Sequence, residues 1–208
     1  MKGELVTKGE QTRQRIVAAA APIFNQHGYA GSSIVELMKA TGLTKGGIYR
    51  HFSCKEELAA EAFDYTWETA RDARLVDVDE KTVGVDLLKL FIANFIDKKP
   101  PVPGGCPILN TAIDADDGNP VLRERARKAL RAWSNRLQDI LKVADEHGQL
   151  QPGVAPKTVA TLIIATLEGA LMISRLERNY EPLRRVQEHL NYYLDTQVRA
   201  VKQTDNRL

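Results

Sequence analysis

The 208 residues suffice for one large domain or two small ones sharing a long helix, and with 43% hydrophobic and 27% charged residues the composition excludes a disordered or fibrous chain. The net charge of +2 says little, but residues 1–55 carry eight lysines and arginines against three acids, a net of +5 that leaves −3 for the remainder, as suits a front end that meets phosphates. Two cysteines, Cys54 and Cys106, exclude a disulfide framework, and neither a Cys-x-x-Cys nor a histidine pair at zinc spacing offers a metal site.

No long period-2 run occurs, and apolar residues recur at spacings of three and four, which predicts an all-α chain. Residues 1–15 are polar, without the apolar core of a signal peptide. Thr7 and Glu10 stand at capping-box spacing and start a first helix near Lys8, with Ile16, Ala20, Ile23, Phe24 and His27 on one face and Gly28 at its end. Pro22 inside it removes one backbone bond and predicts a kink. Ser33 and Glu36 repeat the capping box for a helix over 33–41, Gly42 suits a left-handed end, and a short helix follows over 45–51. Ser53 and Glu56, at the same spacing, start a fourth helix that runs to about residue 75. Residues 76–82 read as a loop, 82–97 as a helix, and 98–105, with three prolines and two glycines, as a flexible loop. A short helix is predicted from Pro107, a long one over 120–147 with Asn119 as N-cap, another over 156–178, and a last one over 182–202. The longest apolar stretch, 159–173, is short for a bilayer and carries Glu168, so no membrane is expected.

Residues 33–52 make two short helices joined by a glycine-containing turn, the helix-turn-helix unit whose second helix can enter a DNA major groove. Thr44 is the predicted N-cap of that second helix, with Lys45, Gly46 and Gly47 in its first turn. Glycines there cost about 1 kcal/mol each relative to alanine, and close backbone approach to DNA is what they give in return. Tyr49, Arg50 and His51 fall on the exposed side, with Ile48 and Phe52 inward. Tyr49 and His51 suit phosphate oxygens, Lys45 phosphate or guanine, and Arg50 the guanine edge. Ser33 and Lys55, each at a helix start, add phosphate clamps.

The elements Thr12-Arg13-x-x-Ile16, Phe24-x-x-x-Gly28-Tyr29, Ser33-x-x-x-Leu37 and Gly42-Leu43-Thr44-Lys45-Gly46-Gly47-Ile48-Tyr49-Arg50-His51-Phe52-x-x-Lys55-Glu56-x-Leu58 resemble the TetR family of bacterial transcriptional regulators over about residues 9–65. The resemblance implies an all-helical homodimer. Its N-terminal three-helix DNA-binding domain (9–55) would be joined by the fourth helix to a larger helical ligand-binding and dimerisation domain (76–204). It further implies a palindromic double-stranded operator and, usually, repression relieved by a small-molecule inducer. With no signal peptide and no membrane span expected, the chain is read as cytoplasmic, on the nucleoid, and no cofactor is expected. Lys45, Tyr49 and His51 carry over as DNA contacts.

The C-terminal part is read from its own residues. Val159, Leu162, Ile163, Ala170 and Leu171 on one helix, with Leu183, Val186, Leu190, Leu194 and Val201 on the next, make stripes that suit a four-helix dimer seam or the monomer core, and Gly169 permits close helix approach. Cys106, between the 98–105 loop and a helix start, is either a thiol sensor of electrophiles or oxidants or a buried packing residue. Glu168 reads as a seam contact, a core salt bridge or a polar ligand contact, and Arg175 as the partner of an anionic ligand or a surface ion pair. Phe91, Phe95, Trp133 and Met172 either line a pocket or belong to the core, while Asp114, Asp116 and Asp117 are expected to be solvated acids. No nucleophile–base pair or phosphate-cradling loop suggests an enzyme, and the large C-terminal body argues against an architectural DNA binder.

Overall fold

The computed structural model describes residues 7–76, 79 and 81–200. Within them the chain is helical: α1 Lys8–Gly31, α2 Ile34–Thr41, α3 Lys45–Tyr49, α4 Lys55–Leu75, α5 Gly84–Asp97, α6 Pro107–Ala115, α7 Pro120–Glu146, α8 Pro156–Glu177, α9 Glu181–Tyr193, and a π-turn over Leu194–Val198. The one β-type pairing among these residues is an isolated bridge between Leu150 and Arg199.

The predicted starts of α1 and α2 hold in detail. Thr7 accepts from the Glu10 N–H while Glu10 reaches back to the Thr7 N–H, and Ser33 and Glu36 do the same. At α4 the partner differs. The Ser53 N–H and hydroxyl both donate to Glu57 at 2.6 Å, because Glu56 is turned toward Asn119, whose side-chain amide donates to it at 2.8 Å. Pro22 introduces no break, since the non-helical dihedrals inside α1 fall at Gly28. Asn119 caps α7 through the Leu122 N–H. The last α-helix closes at Tyr193 rather than near 202: the chain widens into the π-turn, where the Arg199 N–H donates to the Leu194 carbonyl, and the Gln151 side-chain amide donates to the carbonyls of Thr196 and Arg199. Val201 lies outside the described residues.

The chain divides into two compact units. One comprises Met1–Ala73 and Pro100–Leu130. Its core of Ile16, Val17, Ala20, Leu37, Ile48, Phe52 and Leu58, drawn from α1 to α4, is buried; Leu37, Ile48 and Phe52 are each worth about 1.5–3 kcal/mol of apolar burial. Residues 100–130 join this unit through contacts of α6 with α1 and through Ala115 and Leu122 packed on Ala59 and Ala60. The 98–105 loop is pinned where flexibility was expected. The Asn25 amide donates to the Pro103 and Gly105 carbonyls, and the Asn110 amide donates to the carbonyls of Asn25 and Gly104.

The other unit comprises Arg74–Lys99 and Arg131–Leu208. Its core takes Val85, Leu88 and Ile92 from α5, Leu137 and Leu141 from α7, Ile163 and Leu167 from α8, and Leu190 from α9. By length and composition α8 suffices to cross a membrane, since helix continues past the apolar stretch on both sides; its inward face is packed into this core.

Candidate functional site

The turn between α2 and α3 depends on Gly42, whose φ of 68° is left-handed and whose N–H donates to Met38. Thr44 then caps α3, accepting from the Gly47 N–H at 3.2 Å. The α3 helix spans five residues, shorter than the 45–51 expected, with Arg50 as its C-cap donating to the Gly46 carbonyl and the His51 and Phe52 N–H groups both turning to the Ile48 carbonyl. Ile48 and Phe52 are buried, which aims Lys45, Gly46 and Arg50 at solvent and leaves Tyr49 and His51 half-exposed. A Cβ on Gly46 would meet nothing within 4 Å, so the protein's own packing does not require a glycine there.

Arg13 of α1 ties this surface to α4. Its guanidinium donates to Glu57, Glu61 and the His51 carbonyl and lies 4.1 Å from the Phe52 ring centroid. The Glu61 contact raises the Arg13 pKa. Hydrogen bonds from the Ser53 hydroxyl, then from Arg13, hold the Glu57 carboxyl down at about 2. Sequence reasoning placed Arg13 in a motif but gave it no role, since its partners lie 38 to 48 residues away and leave no local spacing signal.

Ser33 is exposed at the start of α2, engaged in its capping box, and His27 Nδ1 sits 3.3 Å from the same Glu36. Lys55 is more committed than the sequence suggested. Its ammonium donates to the Tyr29 carbonyl at 2.5 Å, lies 4.5 Å from the Tyr29 ring centroid, and burial lowers its pKa. Asp114, expected to be solvated, accepts from the Tyr29 N–H. Ser33, Thr44, Lys45, Gly46, Tyr49, Arg50, His51 and Lys55 all belong to the first unit.

In the second unit the structure brings three of the predicted pocket residues together. Phe91, Phe95 and Trp133 line a narrow cleft of about 20 Å³ with Arg74, Ile92, Leu137, Ile163 and Leu167. The other predicted sensing residues lie elsewhere. Cys106 belongs to the first unit as the N-cap residue of α6 and is only 1% exposed. Glu168 is half-buried on α8, and Met172 and Arg175 are exposed on it.

The proposed seam stripes are mostly internal. Val159, Ile163, Ala170, Leu183, Leu190 and Leu194 are buried within the second unit, while the exposed apolar side chains of α8 and α9 are Leu162, Met172, Ile173, Leu176 and Tyr192. The i, i+3, i+4 pattern marks an apolar stripe but cannot tell which side of a helix faces its own core.

Comparison with known proteins gives a consistent picture. Residues 16–62 match the family described as bacterial regulatory proteins, tetR family, and residues 84–190 match the tetracyclin repressor-like C-terminal domain. A TetR transcriptional regulator from Chloroflexus aurantiacus J-10-FL is 45% identical, with a TM-score of 0.88 over 93% of this chain and 99% of that one. A TetR-family regulator from Cytophaga hutchinsonii is 33% identical, with a TM-score of 0.88 over 96% of this chain and 100% of its own. The transcriptional repressor DhaR of Mycobacterium sp. (strain GP1) is 27% identical over 173 residues, covering 82% of this chain and 86% of the relative.

Proposed function

The chain belongs to the TetR family of bacterial transcriptional regulators, and from that premise we propose a repressor that binds a palindromic operator as a homodimer and is released by a small molecule. As in its relatives, the activity is regulation and not catalysis. The observation that carries the operator reading is the outward face of α3: Lys45, Tyr49 and Arg50 stand on a framework fixed by buried Ile48 and Phe52. Ser33, Thr44, Gly46, His51 and Lys55 surround them as backbone-positioning groups, and Arg50 is the reader of a guanine edge. Residues 9–55 are the DNA-binding domain and 76–204 the ligand-binding and dimerisation domain, acting in the cytoplasm on the nucleoid.

A two-fold operator calls for a two-fold protein. The exposed apolar side chains of α8 and α9 support a seam in which both helices of one subunit meet both of another. A Cβ on Gly169 would meet nothing within 4 Å, so a neighbouring helix can approach there. The burial of Cys106 supports a reversible ligand over thiol chemistry as the trigger.

Selection of bound DNA from a random pool, repeated with a thiol-reactive electrophile, tests this. An enriched palindrome that survives the electrophile is the expected result. Loss of enrichment in wild type but not in Cys106→Ser makes the thiol the trigger instead. Binding without enrichment, and only at low salt, removes the operator reading.

A further inference from the structure

We infer that Val35, in the first turn of α2, packs against the C5-methyl group of a thymine in the major groove and selects that base at one position of each half-site. This rests on the operator reading above and adds a specificity-determining residue outside α3.

Among the described residues before Tyr65, Val35 is the one large hydrophobic side chain that is exposed, at 55%. Leu37 is buried, and Ile34 and Met38 pack against the same core, of which Val35 is no part. A β-branched side chain is a poorer helix former than alanine, so the helix does not call for valine either. A single exposed valine is ordinary on a protein surface; the place of this one is what gives it a partner.

Successive residues of an α-helix stand about 100° apart. Ile34, Leu37 and Met38 mark the inward stripe of α2, with Glu36 and Val35 on its two flanks. Glu36 faces α1, where His27 Nδ1 lies 3.3 Å from its carboxylate. Val35 therefore takes the opposite flank, on the side left for α3, which packs on α2. Two residues before Val35, exposed Ser33 caps the helix, and one turn after it exposed Lys39 carries a positive charge. A valine between two groups suited to phosphate, beside the helix that enters the groove, meets base edges when DNA is bound. Valine is short, so it needs close approach. Gly46 of α3 leaves that approach open, since neither its backbone conformation nor its packing requires a glycine.

The chemistry of the groove names the base. There adenine, guanine and cytosine present hydrogen-bond donors and acceptors, and thymine alone adds a methyl group. An aliphatic side chain over a donor or acceptor strips its water and returns no hydrogen bond. Over the methyl group, both partners remove apolar surface from water.

The test uses the full chain and the palindrome enriched from a random pool, with deoxyuridine replacing each thymine of one half-site in turn. Deoxyuridine lacks the methyl group and keeps the hydrogen-bonding edge. Fluorescence anisotropy compares wild type with Val35→Ala. At one thymine, deoxyuridine should weaken wild-type binding roughly three- to five-fold, and that loss should vanish in Val35→Ala. With a cytosine–guanine pair at the same position, 5-methylcytosine should bind wild type more tightly than cytosine and should make no difference to the variant. The melting temperature of Val35→Ala should match or exceed that of wild type, which separates lost recognition from lost fold. Three results would overturn the inference while an enriched palindrome leaves the operator reading standing. One is that deoxyuridine weakens binding at no thymine. Another is a deoxyuridine loss of the same size in Val35→Ala. The third is a loss from Val35→Ala that is equal across all sequences, as for a sugar or phosphate contact. Absence of any enriched palindrome overturns the operator reading and the inference with it.

Discussion

The carboxylate of Asp114 accepts the Tyr29 N–H at 2.6 Å and fills the space beside Gly28 so closely that a Cβ there would lie 2.7 Å from its Oδ1. Gly28 itself has a φ of 72° and a ψ of 174°, a conformation that side chains avoid. One acid of α6 thus closes the end of α1 while Lys55 of α4 holds the Tyr29 carbonyl. Gly28→Ala should cost about 1–3 kcal/mol through strain and the clash, and Asp114→Ala about 1–2 kcal/mol through the lost acceptor. In the double variant the clash disappears and the backbone strain stays, so urea denaturation of all four proteins should give a cost below the sum of the singles.

Arg13 gathers Glu57, Glu61, the His51 carbonyl and the Phe52 ring about one guanidinium. Arg13→Met keeps the stem and removes the donors, leaving two carboxylates without their cation. A loss of about 1–3 kcal/mol is expected, accompanied by weaker operator binding because His51 and Phe52 end the recognition segment. Thermal melts beside DNA titrations check it, and unchanged DNA affinity would confine Arg13 to stability.

Glu57 sets an acid limit. Its carboxyl titrates at about 2 in the folded chain, against 4.5 for the free group, chiefly through the Ser53 hydroxyl and then Arg13. The unfolded chain therefore takes up this proton first as the pH falls. The contribution of Glu57 is complete above pH 4.5 and is lost between there and about pH 2. Urea midpoints of wild type and Glu57→Gln should differ at pH 6 and converge toward pH 3.

On the α3 face the two cations should separate. Lys45→Ala should weaken binding to all sequences alike and reduce the salt slope by about one. Arg50→Ala should cost about 1–3 kcal/mol mainly at one base pair of each half-site. Fluorescence anisotropy across a salt series with point-substituted operators reads both. A uniform loss from Arg50→Ala would make it a phosphate contact.

Leu176 is 79% exposed on α8, and Gly169 lies on the same helix with open space where a Cβ would stand. Leu176→Asp and Gly169→Leu should each shift sedimentation from dimer to monomer with little change in helical content. A dimer untouched by both changes would place the seam elsewhere.

Much of the first unit was legible because its determinants are local. Capping boxes at Thr7 and Ser33, the left-handed Gly42 and the Asn119-Pro120 start act within one helical turn, and each recurs in the structure. The inward places of Ile16, Ala20, Leu37, Ile48 and Phe52 were legible from residue spacing, while those of Val17 and Leu58 were not. Glu57 in place of Glu56 shows the limit: the capping rule selects the glutamate three residues on, but Asn119, 63 residues away, holds Glu56, and Ser53 pairs with Glu57 instead.

The sequence by itself determined the all-α class, the recognition segment and the family, since these depend on short-range periodicity and an ordered string of residues. Tertiary structure alone decided which stripe of α8 is internal, that Cys106 is buried, that Asp114 closes α1, and that Phe91, Phe95 and Trp133 share one cleft with Arg74. Each of these depends on which faces of distant helices meet. An amphipathic pattern fixes the period of a helix but not its neighbours, and burial, hydrogen-bond partners and cavities exist only once those neighbours are chosen.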